Sequence, residues 1–349
     1  MNTAICIDSL ISRDESVFLL ELILNLFPNS EIYTIAHKRG GILGPIETRP
    51  IVSSFLSHKA KDLEVFKKNF WILPSAVKGI PFHKSIKKVI IISRGYVHGL
   101  SLPENVEKYL YILDWNLVSQ TNLGWQKLFS NYVNDWREKK LASFPKIAVS
   151  SDFFKAQLHL PNAEVIPPTF RTEEYPFVKD EDHNFLFTHH LIHSQGLNVQ
   201  EFRQIASILR SKNEKVFVMG PTEHLGPVRK DFSDIEFVGD HCEATTALYS
   251  HQAKVIWDLS SSAFPVRALG SLCTGRPVIV RDNQINREFL TTGTYFLGQM
   301  TLEDLEKIYT EVEESYLSFD RRSLRRIGLK WNERLFKSRM VKFLNRTEL

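Results

Sequence analysis

The stretch IEFVGDHCEATTALYSHQAKVIWDLSSSAFPVRALGSLCTGRPVIV, residues 235–280, decides the fold. Three short apolar runs in it have the length and composition of buried strands. They are Ile235 to Val238, Val255 to Asp258 and Pro277 to Val280. Two segments with helical spacing lie between them, Glu243 to His251 and Pro265 to Cys273. Strands that alternate with helices in this way predict βαβ units in a parallel sheet.

The same alternation extends outward over the whole chain. In the second half, further strands are predicted at Asn184 to Thr188 and Val216 to Met219, with helices at Val199 to Arg210 and Thr301 to Leu317. The first half is predicted to hold strands at Thr3 to Asp8, Glu31 to Ala36, Lys88 to Ser93, Lys108 to Leu113 and Lys146 to Val149, and a helix at Asp14 to Phe27. A proline group before residue 170 marks a domain boundary near residues 165–180. The chain is therefore predicted to form two α/β domains.

Composition narrows the class of protein. The 349 residues are 43% hydrophobic and 24% charged, which is typical of globular domains and excludes a disordered or collagen-like chain. The net charge of +4 is weak, and without interleaved aromatic platforms we expect no nucleic-acid partner. Three separated cysteines predict free buried thiols. The chain shows neither a secretory signal nor a membrane-spanning stretch, so we expect a cytoplasmic protein.

Several motifs carry a resemblance to a known family. Val238-Gly239, Leu248-Tyr249, Ser260 and Gly275-Arg276-Pro277-Val278-Ile279 stand in an order similar to the nucleotide-sugar half of GT-B glycosyltransferases of family 4. The resemblance implies two Rossmann-like domains facing a central cleft. Residues 1–165 would form the acceptor domain, residues 166–330 the donor domain, and residues 331–349 a helix that packs back on the first domain.

The resemblance also implies an activity. The protein would be a retaining, metal-independent hexosyltransferase that needs no cofactor and acts in surface polysaccharide or glycoconjugate biosynthesis. It would move a sugar from a nucleotide-diphosphate donor to a glycan or a lipid-linked acceptor. Two departures open an alternative. The paired glutamates of the family would fall at Ser262 and Gly270, and its Arg and Lys at His190 and Gln195. Hence the alternative is a non-catalytic GT-B subunit or carbohydrate-binding partner that has lost the donor site.

The donor-binding residues are predicted around the helix that begins near Pro265. Arg267 lies in its first turn, where a cation opposes the helix dipole unless an anion sits nearby; a solvated surface arginine is the alternative. His190 either hydrogen-bonds phosphate or is an ordinary loop histidine, and Glu288 either lies near the donor or caps a helix. The full predicted set is His190, Gln195, Gly220, Ser262, Phe264, Pro265, Val266, Arg267 and Glu288. Although His189, His190 and His193 are close in sequence, no acidic residue or cysteine completes a zinc pattern, so no metal site is predicted.

The first domain supplies the candidate catalytic and acceptor residues. Asp114 directly follows a predicted strand, where a carboxylate could bind acceptor hydroxyls or take a proton, or could cap the next segment. His98 lies between glycines after another strand and either lines the same cleft or sits in an ordinary glycine turn. Arg13, Asp14 and Glu15 stand where the family has its Gly-Gly-x-Glu acceptor loop.

The tail from Arg321 to Arg346 is basic and amphipathic. It carries ten Lys or Arg residues against the single Glu333, with apolar residues such as Trp331 between them. Such a segment can lie on anionic lipid at the inner face of a membrane, or can be a packed terminal helix with a solvated basic face. Both interpretations stay open at the level of sequence.

Overall fold

The computed structural model describes residues 2–42, 44–59, 69–115, 124–177, 189–239 and 243–345. The chain divides into two compact units. The first comprises Met1–Pro168 together with Phe336–Leu349, and the second comprises Thr169–Leu335. Cys6 and Cys273 are buried free thiols, while Cys242 and the predicted strand Asn184 to Thr188 lie outside the described residues.

In the described part of the first unit, seven parallel strands form one sheet in the order β3-β2-β1-β4-β5-β6-β7. The strands are β1 (Thr3–Leu10), β2 (Glu31–His37), β3 (Ile51–Ser53), β4 (Lys88–Ser93), β5 (Glu107–Ile112), β6 (Lys146–Val149) and β7 (Glu164–Val165). The helices are α1 (Glu15–Leu26), α2 (Leu73–Lys78), α3 (Gly124–Leu141) and α4 (Asp152–Gln157). The Asp14 side chain starts α1 by accepting hydrogen bonds from the backbone N–H groups of Ser16 and Val17.

The second unit is built on a six-stranded sheet in the order β10-β9-β8-β11-β12-β13, counted over its described residues. The strands are β8 (His189–His193), β9 (Val216–Met219), β10 (Glu236–Gly239), β11 (Ala253–Asp258), β12 (Val278–Arg281) and β13 (Thr294–Leu297). The helices are α5 (Val199–Ser211), α6 (Gly226–Arg229), α7 (Glu243–Gln252), α8 (Val266–Cys273), α9 (Gln284–Phe289), α10 (Leu302–Ser315) and α11 (Arg321–Leu329). The strand order reverses between β8 and β11, and ligands of open α/β sheets bind where this reversal opens a crevice at the carboxyl ends.

The last helix, α12 (Glu333–Leu344), contributes to the core of the first unit. Its buried side chains Phe336, Met340 and Phe343 join the apolar cluster formed by α1 and the sheet. The carbonyl of Leu344 accepts hydrogen bonds from Lys88 Nζ at 3.1 Å and from Tyr109 Oη at 2.7 Å. These bonds satisfy a backbone group that a helix end leaves open, and together with the buried side chains they fasten α12 to the first unit.

Candidate functional site

The carboxyl edge of the second sheet collects polar residues at the point where the strand order reverses. β8 and β11 are adjacent, with Ile192 paired to Trp257, so His193 and Asp258 lie side by side one residue further along. The Asp258 carboxylate accepts a hydrogen bond from Ser260 Oγ at 2.6 Å. This edge is where a ligand of an open α/β sheet is expected to bind.

The loops that follow β8 and β11 are held tightly against one another. Gly196 has a φ of 84°, and a Cβ there would lie 2.6 Å from Ser260 Cα, so only glycine fits. Arg281 ties both loops together, because its Nε donates to the Leu259 carbonyl at 2.6 Å and its Nη2 to the Gly196 carbonyl at 3.2 Å. An ion pair of 2.8 Å with Glu201 holds Arg281 in turn. The edge is therefore a preorganised scaffold.

Helix α8 begins at this edge without a side-chain cap. Pro265 occupies its N-cap position and provides no capping hydrogen bond, whereas Asn198 caps α5 with a complete capping box. Backbone N–H groups of a first turn attract anions, and the helix dipole adds to the attraction. Arg267 lies in this turn, half-buried, and donates a hydrogen bond to Gln195 Oε1 in the loop after β8. The structure thus brings two predicted donor residues, Arg267 and Gln195, to one uncapped helix end.

His193 is a residue of this edge that the sequence prediction did not include. It is the last residue of β8 and is 2% exposed, and its Nε2 has no hydrogen-bond partner among the described residues. Burial lowers the pKa of His193 to about 4; Arg267 lowers it further and Asp258 opposes the change. The position of His193 at a strand end could have revealed it, but the sequence prediction treats His193 only as a possible zinc ligand and assigns the phosphate contact to His190.

Four other residues of the predicted donor set shape the loops or the helix start at this edge. Gly220 follows β9 with a φ of 102°, and a Cβ there would lie 2.7 Å from Ser194 Oγ, so it shapes the loop after β8. Pro265 and Val266 form the start of α8, as predicted. The Ser262 hydroxyl donates to the Phe264 carbonyl at 2.9 Å and fixes the approach to the helix.

The last two members of the predicted set are Phe264, which is buried, and Glu288, which is half-buried. Phe264 is fully buried and packs against Phe170, Phe289 and Trp331, so its ring offers nothing to a ligand. Glu288 lies in the last turn of α9, which Asn283 caps at the other end, so the helix-capping interpretation is wrong.

The prediction that His190 lies in a loop is wrong. His190 lies near the amino end of β8, is fully buried, and faces the side of the sheet that carries Trp257. Its Nδ1 accepts a hydrogen bond from the Trp257 indole at 3.1 Å. Because the carboxyl edge is the opposite end of the strand, His190 cannot reach a ligand bound at α8, and the prediction of a phosphate contact is corrected.

His190 instead belongs to a charged cluster under α10. Its Nε2 lies 3.5 Å from Glu214 Oε2, and Lys254 pairs with Glu214 at 3.0 Å and with Glu313. The pKa of Glu214 is lowered to about 2, first by His190 and then by Lys254, which outweigh its burial. Although ligand atoms of His190, Glu214 and Glu313 lie within 4.8 Å of one another, the Lys254 ammonium supplies the positive charge that a metal ion would bring. The indole bond also places the imidazole proton on Nε2, the atom a metal would need.

The carboxyl edge of the first sheet carries a second charged cluster. Arg94, after β4, pairs with Asp14 at 3.0 Å and with Asp114 at 3.2 Å. Asp8 is buried and accepts backbone hydrogen bonds from Tyr96 at 3.1 Å and Val97 at 2.7 Å. Burial raises the pKa of Asp8 to about 6, against the effect of the backbone bonds. The Arg94 guanidinium thus holds the Asp14 and Asp114 carboxylates close to one another.

His98 does not have the geometry of a catalytic residue. It is 1% exposed; its Nε2 donates to the Arg137 carbonyl at 3.0 Å, and its Nδ1 accepts from Ser93 Oγ at 3.1 Å. Burial lowers the pKa of His98 to about 4, so the ring stays neutral. Both nitrogens are engaged inside the unit, and the prediction that His98 lines a cleft is wrong.

Arg13 and Glu15 make other hydrogen bonds or helix contacts than Asp14, although the Glu15 carboxylate also interacts electrostatically with Arg94. Arg13 donates from Nη2 to both carboxylate oxygens of Glu21 at 2.7 and 2.8 Å. Glu15 is the first residue of α1, where a carboxylate favours the helix dipole. Of the predicted acceptor triplet, Asp14 alone is held at the Arg94 cluster by a described hydrogen bond.

Comparison with known proteins shows the fold. No protein-family model matches the chain, and no curated protein matches it either. Among solved structures it is similar to the Anabaena protein HepE in complex with UDP and glucose, with 10% identity, a TM-score of 0.67, and coverage of 99% of this chain and 100% of that one. It is similar to a glycosyltransferase from Rickettsia africae, with 12% identity, a TM-score of 0.65 and coverage of 99% of each chain. A UDP-N-acetylglucosamine 2-epimerase has 12% identity and a TM-score of 0.54 over 97% of this chain and 94% of that one.

These likenesses, together with the two parallel sheets, confirm the predicted α/β fold of GT-B type. The return of the last helix to the first unit agrees with that fold. Among the described residues, none of the helices combines the length and the hydropathy needed to cross a bilayer.

Proposed function

We propose that this chain is a glycosyltransferase that moves a sugar from a nucleotide-diphosphate donor to a hydroxyl of a glycan or lipid-linked acceptor. The observation that carries the proposal is the uncapped start of α8, which lies at the reversal of strand order and holds Arg267 against Gln195. Backbone N–H groups in the first turn of a helix and a guanidinium together favour a polyanion such as a diphosphate. The fold is shared with a glycosyltransferase from Rickettsia africae and with a protein solved in complex with UDP and glucose, which supports the same ligand.

The chemistry requires the site to stabilise a departing diphosphate. In the transfer, the bond between the sugar C1 and the diphosphate oxygen breaks, and a bond forms between C1 and the acceptor oxygen. The acceptor proton passes to the diphosphate, which can act as the base. Arg267 and the α8 amides would stabilise the negative charge that develops on the leaving group. Retention of configuration and independence of a metal ion belong to the proposal through the resemblance to family 4.

The first unit would bind the acceptor. Asp114 and Asp14 lie at the carboxyl edge of its sheet, on either side of Arg94. Carboxylates there can accept hydrogen bonds from acceptor hydroxyls, and Arg94 keeps both in place. Residues 1–165 would thus form the acceptor domain, and residues 166–330 the donor domain.

One observation favours the alternative of a non-catalytic subunit. The second family glutamate would fall at Gly270, where even a Cβ would overlap the Tyr175 ring. A carboxylate cannot occupy that position without repacking, so donor hydroxyls lose one expected partner. A subunit without donor affinity would bind glycan alone.

Calorimetric titration distinguishes these functions. The protein is titrated with UDP, GDP and their sugar conjugates, and Arg267→Ala is compared with Arg287→Ala. Arg287 is a suitable control because it is exposed, and its described contacts are with Asp282, at 2.8 Å through Nη2, and with the Phe296 ring, 4.7 Å from its guanidinium carbon. The proposal predicts micromolar binding of one nucleotide, weakened at least tenfold by Arg267→Ala and unchanged by Arg287→Ala. Absence of binding to the folded protein would favour the non-catalytic subunit.

A further inference from the structure

His193 faces the same side of the second sheet as α8. Side chains alternate along a strand, so His193 continues the face of Leu191, and Asp258 continues the face of Ile256. Leu191 and Ile256 pack in one apolar cluster with Ala268 and Leu269 of α8. His193 therefore lies at the carboxyl end of its strand, on the side from which α8 begins.

The electrostatic surroundings of His193 come from the two elements packed on it. Arg267, from the first turn of α8, disfavours its protonation, and the Asp258 carboxylate on β11 favours it. A buried polar atom without a partner costs free energy, and such an atom in a folded protein needs an explanation. The Nε2 of His193 is such an atom among the described residues, and the ring is close enough to Arg267, in the uncapped first turn of α8, to feel its charge.

We propose that His193 is a further ligand of the donor diphosphate, which its Nε2 binds while the imidazole takes up a proton. The inference rests on the proposed function, because it assigns a role at the same anion site. The bound anion offsets the repulsion between the imidazolium and Arg267, and the Asp258 carboxylate favours the charged ring. His193 then partly replaces the Arg and Lys that the sequence lacks at His190 and Gln195.

The expected signature is tighter binding at acid pH. An opposite charge close by raises a histidine pKa by about 1 to 3 pH units, so for His193 binding at pH 6 should be up to about tenfold tighter than at pH 8. UDP-glucose is the appropriate probe, because its diphosphate has no ionisation of its own in this range. Calorimetry in buffers of different ionisation enthalpy measures the proton uptake directly.

His193→Gln keeps a hydrogen-bond donor but cannot titrate, and His189→Gln is the matched control. His189 is also buried on β8, its pKa is likewise lowered to about 4 by burial, and it faces the same side. It lies about 13 Å away, at the amino end of the strand. The proposal predicts that His193→Gln abolishes proton uptake and the gain at pH 6, while His189→Gln leaves both intact.

Each other outcome has a defined meaning. Binding without proton uptake in the unmodified protein, or uptake that persists in His193→Gln, would overturn the role of His193 and leave the donor site standing. Should His193→Gln fail to fold, the proton uptake is measured instead from the buffer dependence of the binding enthalpy in the unmodified protein and in Asp258→Asn. Loss of the Asp258 carboxylate should reduce the uptake, and an unchanged uptake would contradict the role of His193. Titration with inorganic pyrophosphate distinguishes the two proposals. If pyrophosphate binds, His193→Gln weakens that binding and no nucleotide binds, the role of His193 in an anion site is supported and the glycosyltransferase function is contradicted. If neither binds, both proposals fail.

Discussion

Substitution Gly270→Ala tests the packing that excludes a side chain from the middle of α8. Alanine normally stabilises a helix interior by up to about 1 kcal/mol relative to glycine. Here the new Cβ would overlap the Tyr175 ring, and even the most distant of three ring atoms, Cδ1, would be only 2.8 Å away. Tyr175 is 2% exposed and packs edge-on against Phe170, with ring centroids 5.6 Å apart, so it has little room to move. Overpacking of this kind costs about 1 to 3 kcal/mol.

We therefore expect Gly270→Ala to lower the free energy of unfolding by up to about 2 kcal/mol, measured by urea denaturation. Gly226→Ala is the control, because Gly226 begins α6 and a Cβ there meets nothing within 4 Å. It should leave stability unchanged or slightly raised. If Gly270→Ala stabilises the protein as an ordinary helical substitution would, the packing of Tyr175 against α8 is not as described.

Three further perturbations test separate parts of the structure. Burial lowers the pKa of His98 to about 4, whereas a histidine in the unfolded chain titrates near 6.5. The neutral His98 ring therefore contributes its full stability above about pH 6.5, and the free energy of unfolding falls by up to about 3 kcal/mol as the pH drops towards 4. Urea denaturation across this range should show a smaller decrease for His98→Gln than for the unmodified protein. Lys254→Met leaves the Glu214 and Glu313 carboxylates without their shared cation, so we expect a loss of about 2 to 4 kcal/mol by the same method at pH 7. Asp14→Ala removes the cap of α1 and should cost about 1 kcal/mol, seen as a lower thermal midpoint; an unchanged midpoint would contradict the capping role.

The order of strands and helices could be predicted because parallel sheets buried on both faces leave plain apolar runs. Lys88 to Ser93, Lys146 to Val149 and Val216 to Met219 are observed with the predicted bounds. The start of α8 could also be placed, since Pro265 fits the beginning of a helix. Arg267 stood out because its charge opposes the dipole of that helix.

The roles of the histidines could not be predicted in the same way. His190 and His193 lie three residues apart in a polar-looking segment, and only the register of β8 against β11 decides which one reaches the carboxyl edge. A shift of one residue moves every side chain of a strand to the other face. His98 was equally ambiguous, because its burial depends on Arg137 of α3, a helix distant in sequence.

A crystal structure of the protein with UDP tests the central claim most directly. We predict electron density for the diphosphate at the N-terminus of α8, within hydrogen-bond distance of Arg267 and of His193 Nε2. UDP bound elsewhere, or an empty α8 terminus at millimolar UDP, would contradict the assignment of this edge as the donor site.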